Sequence, residues 1–205
     1  MKFGFKEKKR MLLALVAVIG MGITVSLLLR VDMGTDPYTC LNKGASTKLG
    51  MTLGNWQALL NTVLLLIVLK SDKSQIGWGT VFNVFLVGYT SDFTTWLTDK
   101  IVSPEVFGVI YIRIIVMIVG IVMFVFSASL YMSAGMGVSP YDAIIFVVAN
   151  KMKKVPFRIS RICMDALGCV IGYALGSTVG IVTILVVLTL GPVLQYMKEK
   201  IDKIL

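Results

Sequence analysis

A seven-residue motif that occurs twice most constrains how this chain can fold. The first copy, MGTDPYT, occupies residues 33–39, and the second, MGVSPYD, occupies residues 136–142, 103 positions later. In each copy a small polar residue, Asp36 or Ser139, precedes a proline. This is the order of a helix N-cap followed by proline at the first helical position, where the missing N–H costs nothing. Each copy therefore predicts a helix N-terminus.

Composition places these helix starts in a membrane. The chain has 205 residues, 57% of them hydrophobic, and a mean hydropathy of +0.86. Several apolar runs approach the roughly 20 residues that cross a bilayer as a helix. The sequence predicts an integral membrane protein with no separate soluble catalytic domain.

The net charge of +9 at pH 7 comes from basic clusters beside the apolar runs, at residues 2–10, 151–161 and 198–203. Such clusters fix the orientation of membrane proteins and contact anionic lipid. We expect contact with membrane lipid and no nucleic-acid partner.

The apolar pattern predicts an all-α polytopic protein with six full crossings and two short segments. Each short segment follows a copy of the motif and is too short or too polar to span, and a basic turn follows the second, at 151–158. The predicted crossings are 11–29, 55–69, 80–97, 106–132, 159–175 and 179–197, and the short segments are 37–49 and 140–150.

The two halves match at a single ungapped offset. At 103 positions, Gly77 pairs with Gly180, Thr80 with Thr183 and Gly88 with Gly191, besides the motif itself. Matches of glycine and proline at one offset predict an internal two-fold repeat. We expect a first membrane repeat at 1–98 and a second at 99–205, together forming one membrane domain.

Loop charge indicates how the halves are oriented. Equivalent segments of the two halves differ in their content of Lys and Arg. The start of the first half is basic, whereas its equivalent, 99–105, carries both signs of charge. The turn near Lys48 has few charges, whereas its equivalent, 151–158, is basic. Since Lys and Arg collect in the cytoplasm, this favours an inverted repeat with two re-entrant half-helices and both termini cytoplasmic. The alternative is eight helices in two parallel four-helix halves.

Paired half-helices in inverted halves often build a substrate site near the bilayer midplane. Polar groups inside spans also tend to face a cavity, and Arg161 and Asp165, four apart, can pair on one helix face. Asp36 already caps a positive helix end, so a cation or proton is as compatible with this site as an anion. The predicted substrate-binding residues are Asp36, Pro37, Tyr38, Lys43, Asn61, Ser139, Pro140, Tyr141, Asp142, Arg161 and Asp165.

No catalytic or metal site is predicted. The chain has no histidine, and its three cysteines lack metal-ligand spacing. Without a nucleophile–base pair, we expect neither an enzyme nor a bound cofactor.

The whole chain resembles the YczE/YitT-like family of bacterial integral membrane proteins. The resemblance rests on the two Gly-x-Asp/Ser-Pro-Tyr motifs, on the paired Thr80 and Thr183, and on Gly191-Pro192. It is closer to YczE, because no soluble domain follows Leu205. The resemblance implies a protein of the bacterial plasma membrane with a transport-related role.

These features together predict a small-molecule or ion secondary transporter. A passive channel, or a membrane accessory protein that binds a lipid or protein partner, are the alternatives. Either a monomer or a homo-oligomer is compatible with the sequence.

Overall fold

The computed structural model describes residues 4–151 and 157–202, and this part of the chain is helical with no strand. Two short 3-10 helices, at Lys73–Gln75 and Pro104–Gly108, precede α4 and α5. The α-helices are α1 (Phe5–Val31), α2 (Pro37–Lys48), α3 (Leu53–Ser71), α4 (Trp78–Ile101), α5 (Ile110–Ala134), α6 (Pro140–Lys151), α7 (Phe157–Ala174) and α8 (Ile181–Asp202).

Both copies of the motif begin a helix as predicted. Asp36 accepts a hydrogen bond from the backbone N–H of Thr39, and Pro37 is the first residue of α2. Ser139 Oγ accepts from the backbone N–H of Asp142 at 3.1 Å, and α6 begins at Pro140. Each cap satisfies an N–H that a helix start would leave without a partner.

Several helices begin at residues other than those predicted for the crossings. α1 starts at Phe5 rather than at residue 11, and α5 starts at Ile110 rather than at 106. Residues 157 and 158, predicted as part of the basic turn, belong to α7, while positions 152–156 of that turn lie outside the described residues. Three described helices, α1, α3 and α5, are long and apolar enough by themselves to cross a membrane, against the six crossings predicted.

The direction of each helix follows from its contacts. A Cβ at Gly20 would meet Ser127, one at Gly120 would meet Leu28, and Arg113 donates to the Val31 carbonyl. Positions advancing along α1 therefore meet positions receding along α5, so these two helices run antiparallel. α1 and α4 run in the same direction.

Backbone bonds tie each copy of the motif to a helix of the other half. The N–H of Gly79 donates to the Met136 carbonyl at 2.7 Å, and that of Val182 donates to the Met33 carbonyl at 3.1 Å. These two bonds join positions related by the offset of 103. The side-chain hydroxyls of Thr80 and Thr183 also contact the motif, at the Val138 carbonyl and the Thr35 N–H.

Large apolar side chains cover much of the outer surface. Val122 on α5 is 63% exposed and Leu188 on α8 is 69% exposed, whereas Leu28 is buried between α1, α5 and α8. Exposed apolar surface of this extent is typical of helices that face lipid.

Candidate functional site

The N-termini of α2 and α6 meet through the two tyrosines of the motif. The rings of Tyr38 and Tyr141 stack with centroids 4.5 Å apart and planes inclined by 26°. The stack brings the two copies together in space, although 103 residues separate them in the chain.

Each tyrosine hydroxyl donates to a polar side chain in the following long helix. Tyr38 Oη donates to Asn61 Oδ1 in α3, and Tyr141 Oη donates to Asp165 Oδ1 in α7 at 3.0 Å. Asn61 is fully buried and Asp165 is 7% exposed. The two polar positions inside apolar helices are therefore explained by equivalent tyrosine contacts.

Arg161 links α7 to the start of α6. Its guanidinium lies 2.7 Å from Asp142 Oδ1 and 3.5 Å from Asp165 Oδ2. The pairing with Asp165 was predicted from the spacing of four residues, whereas the shorter contact with Asp142 comes from a different helix. One arginine thus compensates two carboxylates, as buried charges require.

These residues surround a cavity of about 650 Å³, a size typical of small-molecule sites. Val25, Phe124 and Ala128 form part of its apolar wall, and Ser74 and Gln75, from the 3-10 helix before α4, also line it. Beside this cavity, two hydrogen bonds from Ser74 hold the pKa of Asp72 below its usual value. The cavity offers carboxylates, amides and hydroxyls to a ligand. Among the described residues no group of three or more metal-ligand side chains lies close together.

Most of the predicted site residues lie together. Asn61 does not line the cavity but bonds Tyr38, and Pro140 starts α6 between two lining residues. Lys43 lies elsewhere, in a second cavity. The predicted residues that line the larger cavity are Asp36, Pro37, Tyr38, Ser139, Tyr141, Asp142, Arg161 and Asp165.

Many lining residues were missed from sequence, among them Gln57, Phe124 and Tyr131. Gln57 precedes Asn61 by four positions, so both occupy one face of α3, and that spacing could have identified it. Phe124 and Tyr131 lie in an apolar run whose periodicity carries no sign of a cavity, and only the packing of α5 identifies them.

The second cavity has a volume of about 240 Å³ and lies where the repeat offset would place it. Eight of its ten lining positions match, at an offset of 103, positions that line the larger cavity. Lys43, for example, is equivalent to Phe146, and Ser177 to Ser74. Among the described residues, none lines both cavities.

Side-chain contacts join residues in and beside the second cavity. Thr178 donates to the Asp32 carboxylate, and Arg113 donates to the carbonyls of Val31 and Asp32. The position equivalent to Asp32 in the larger cavity is Gly135, which has no side chain to make such a contact. The two cavities therefore differ in the side-chain contacts at this position.

A comparison with models of known protein families finds one that matches this chain. A model of a family of unknown function, DUF6198, matches residues 8–199. An uncharacterized protein of Haemophilus influenzae is 25% identical, over 93% of this chain and 84% of its own.

Two Bacillus subtilis proteins are similar as well. YyaS, described as uncharacterized, is 23% identical over 92% of both chains. YczE, described as an uncharacterized membrane protein, is 21% identical over 80% of this chain and 73% of its own. No solved structure matches.

The resemblance to YczE that the paired motifs indicated is thus confirmed. With three apolar helices of spanning length, it identifies a membrane protein. The match over nearly the whole length shows that the chain belongs to the DUF6198 family.

Proposed function

We propose that this protein is a small secondary transporter of the bacterial plasma membrane that works by alternating access. The observation that carries the proposal is the pair of cavities at positions related by the offset of 103, one of about 650 Å³ and the other of about 240 Å³. A carrier needs two such pathways, open one at a time, to a shared site.

The arrangement of the halves supports this proposal. The antiparallel packing of α1 and α5 is what an inverted repeat requires, since equivalent helices then cross the membrane in opposite directions. In the proposed topology α2 and α6 are re-entrant half-helices, six longer helices cross the membrane, and both termini are cytoplasmic. The larger cavity then opens to the cytoplasm, on the side of Ser74 and Gln75.

In the proposed exchange, closing one cavity would open the other. The contact between Thr178 and Asp32 would keep the smaller cavity closed in one state. The Tyr38–Tyr141 stack joins the two halves and lines the larger cavity. The smaller cavity would reach this stack only in the other state, so a ligand bound at the stack can bias the exchange.

Thiol accessibility at two equivalent positions tests the proposal. In a background without native cysteines, Val138→Cys reports on the larger cavity and Thr35→Cys on the smaller one. In purified protein in detergent, where a reagent reaches both sides, we expect a water-soluble thiol reagent to label Val138→Cys faster than Thr35→Cys. Adding Thr178→Val, which removes one hydroxyl from the second cavity, should speed labelling at 35 and slow it at 138.

The matched control is Thr62→Val, because the Thr62 hydroxyl bonds only its own helix, at the Ala58 carbonyl, among the described residues. It should leave both labelling rates unchanged. If Thr178→Val speeds labelling at both positions together, a continuous pore is present and the passive channel replaces the carrier. If neither rate responds, the two cavities do not exchange, and a membrane accessory role is favoured.

A further inference from the structure

The larger cavity is rich in negative charge although the chain as a whole carries +9. The ionisable side chains that line it, apart from tyrosines, are three aspartates and one arginine. Arg161 already contacts Asp142 and Asp165. Among the described residues no basic side chain pairs with the remaining carboxylate, Asp36, and Lys43 lines the other cavity.

Besides the Tyr131 hydroxyl, which also lacks a partner among the described residues, two buried acceptors of this cavity lack a donor. Asp36 Oδ2 accepts from Thr39 at 3.0 Å, but no donor in the described part of the chain reaches Asp36 Oδ1. The side-chain oxygen of Gln57 is likewise without one. The two residues are only 8% and 4% exposed. Because a buried acceptor without a donor is costly, both positions favour a ligand that brings N–H or O–H groups.

The helix N-termini at this site do not favour an anion. Helix N-termini attract negative charge, but here carboxylates of the chain itself already provide that charge. Asp36 caps α2, and Asp142, which accepts from Ser139, lies in the first turn of α6. An anionic ligand would therefore meet two carboxylates where it needs free N–H groups.

The wall of the cavity suits a cation with an apolar body. Aromatic faces attract cations, most strongly where water is excluded. The volume of about 650 Å³ accommodates a small organic molecule. The aromatic residues that line the cavity are Tyr38, Phe124, Tyr131, Tyr141 and Phe146.

We infer that the larger cavity binds a small organic cation with N–H donors, such as an ammonium or guanidinium group on an apolar body. Asp36 is its counter-ion and Gln57 a second acceptor. The inference rests on the proposed function for the role of this ligand as transported substrate, whereas binding itself is measurable without transport.

Equilibrium binding to the purified full-length chain tests the charge of the ligand. The probes are phenethylammonium, phenylethylguanidinium, and two size-matched compounds, 2-phenylethanol and 3-phenylpropanoate. We expect at least one of the two cations to bind about tenfold or more tightly than the alcohol, and the carboxylate to bind most weakly. Tightest binding by the carboxylate, or no binding by either cation at millimolar concentration, would overturn the inference.

Substitutions locate the counter-ion. Asp36→Asn should weaken binding of the cation by about tenfold or more, whereas Glu105→Gln, which removes one charge from the 3-10 helix at 104–108, should not. Gln57→Glu adds a carboxylate to the cavity and should tighten binding, a gain that a misfolded protein cannot give. Unchanged affinity in both Asp36→Asn and Gln57→Glu would exclude the assigned site.

The two proposals fail separately. If the cation binds but Thr178→Val does not shift labelling from Val138→Cys to Thr35→Cys, the cation site stands and the carrier is wrong. If Thr178→Val does shift labelling but only the carboxylate binds, the carrier stands and the substrate class is wrong.

Discussion

Two glycines of the motif allow the chain to turn back between a long helix and a short one. Gly34 and Gly137 have φ values of +92° and +98°, in the region that side chains rarely adopt. They also lie against the other half: a Cβ at Gly137 would be 2.5 Å from the Gly77 nitrogen. A side chain at either position would therefore be both strained in its backbone and crowded by the other half.

Gly137→Ala should destabilise the protein more than Gly176→Ala. Gly176 has a φ of +91° but open space around it, so alanine there costs only the left-handed strain of about 1–2 kcal/mol. At Gly137 overpacking adds about 1–3 kcal/mol. Melting temperatures in detergent compare the two variants, and equal losses would show that the close approach to Gly77 is absent.

The two helix caps that the sequence predicted depend on local interactions. Asp36 and Ser139 cap the helices that follow them, and the cap depends on three or four neighbouring positions. The contact between Asp142 and Arg161 joins different helices, and no local pattern specifies it. Lys43 was placed in the site because it follows the first motif, but its position along α2 takes it to the other cavity.

At the level of elements, small residues let α2 lie close against α7. A Cβ at Gly172 would be 2.7 Å from the Cys40 carbonyl carbon, and one at Gly44 would be 2.6 Å from the Gly172 carbonyl oxygen. Close approach through small residues is a common way for helices to associate in lipid, where apolar burial alone gives little driving force.

Gly172→Leu should therefore separate α2 from α7 and lower the melting temperature, with a loss of about 1–3 kcal/mol or more. Ala166→Leu is the control, since Ala166 lies on the exposed side of the same helix. A similar fall in both variants would mean that leucine disturbs α7 itself rather than its packing.

Helix existence was predictable from hydropathy, and helix ends were not. Hydropathy detects the part of a helix that matches the bilayer, so the charged first turns of α1 were missed. α5 was predicted to begin early because residues 106–108 are apolar or neutral, yet they belong to a 3-10 helix that starts at Pro104. α4 carries polar residues such as Asn83, Ser91 and Asp92, so its composition alone does not qualify it as a span.

On the scale of the whole molecule, the antiparallel packing of α1 and α5 determines where loops lie. With inverted halves, the turn between α2 and α3 returns to the side that α1 reaches. With eight crossings in two parallel halves, that turn lies on the opposite side of the membrane. Met51, exposed in this turn, distinguishes the two.

Met51→Cys, in a background without native cysteines, should react with impermeant reagent from outside intact cells. Val179→Cys is the outside control and Lys9→Cys the inside control, since both topologies agree on these positions. Reaction of Met51→Cys only after the cells are opened would support eight crossings and exclude the re-entrant arrangement. Met51 is preferred to Gly50, whose φ of +65° disfavours cysteine.

The crossed backbone bonds, from Gly79 to Met136 and from Val182 to Met33, have a consequence for assembly. Each half supplies the donor that the other half's motif needs, and neither bond uses the segment that joins the halves. Two polypeptides divided near Ser103 should therefore find each other in one membrane when produced together, and each alone should be degraded.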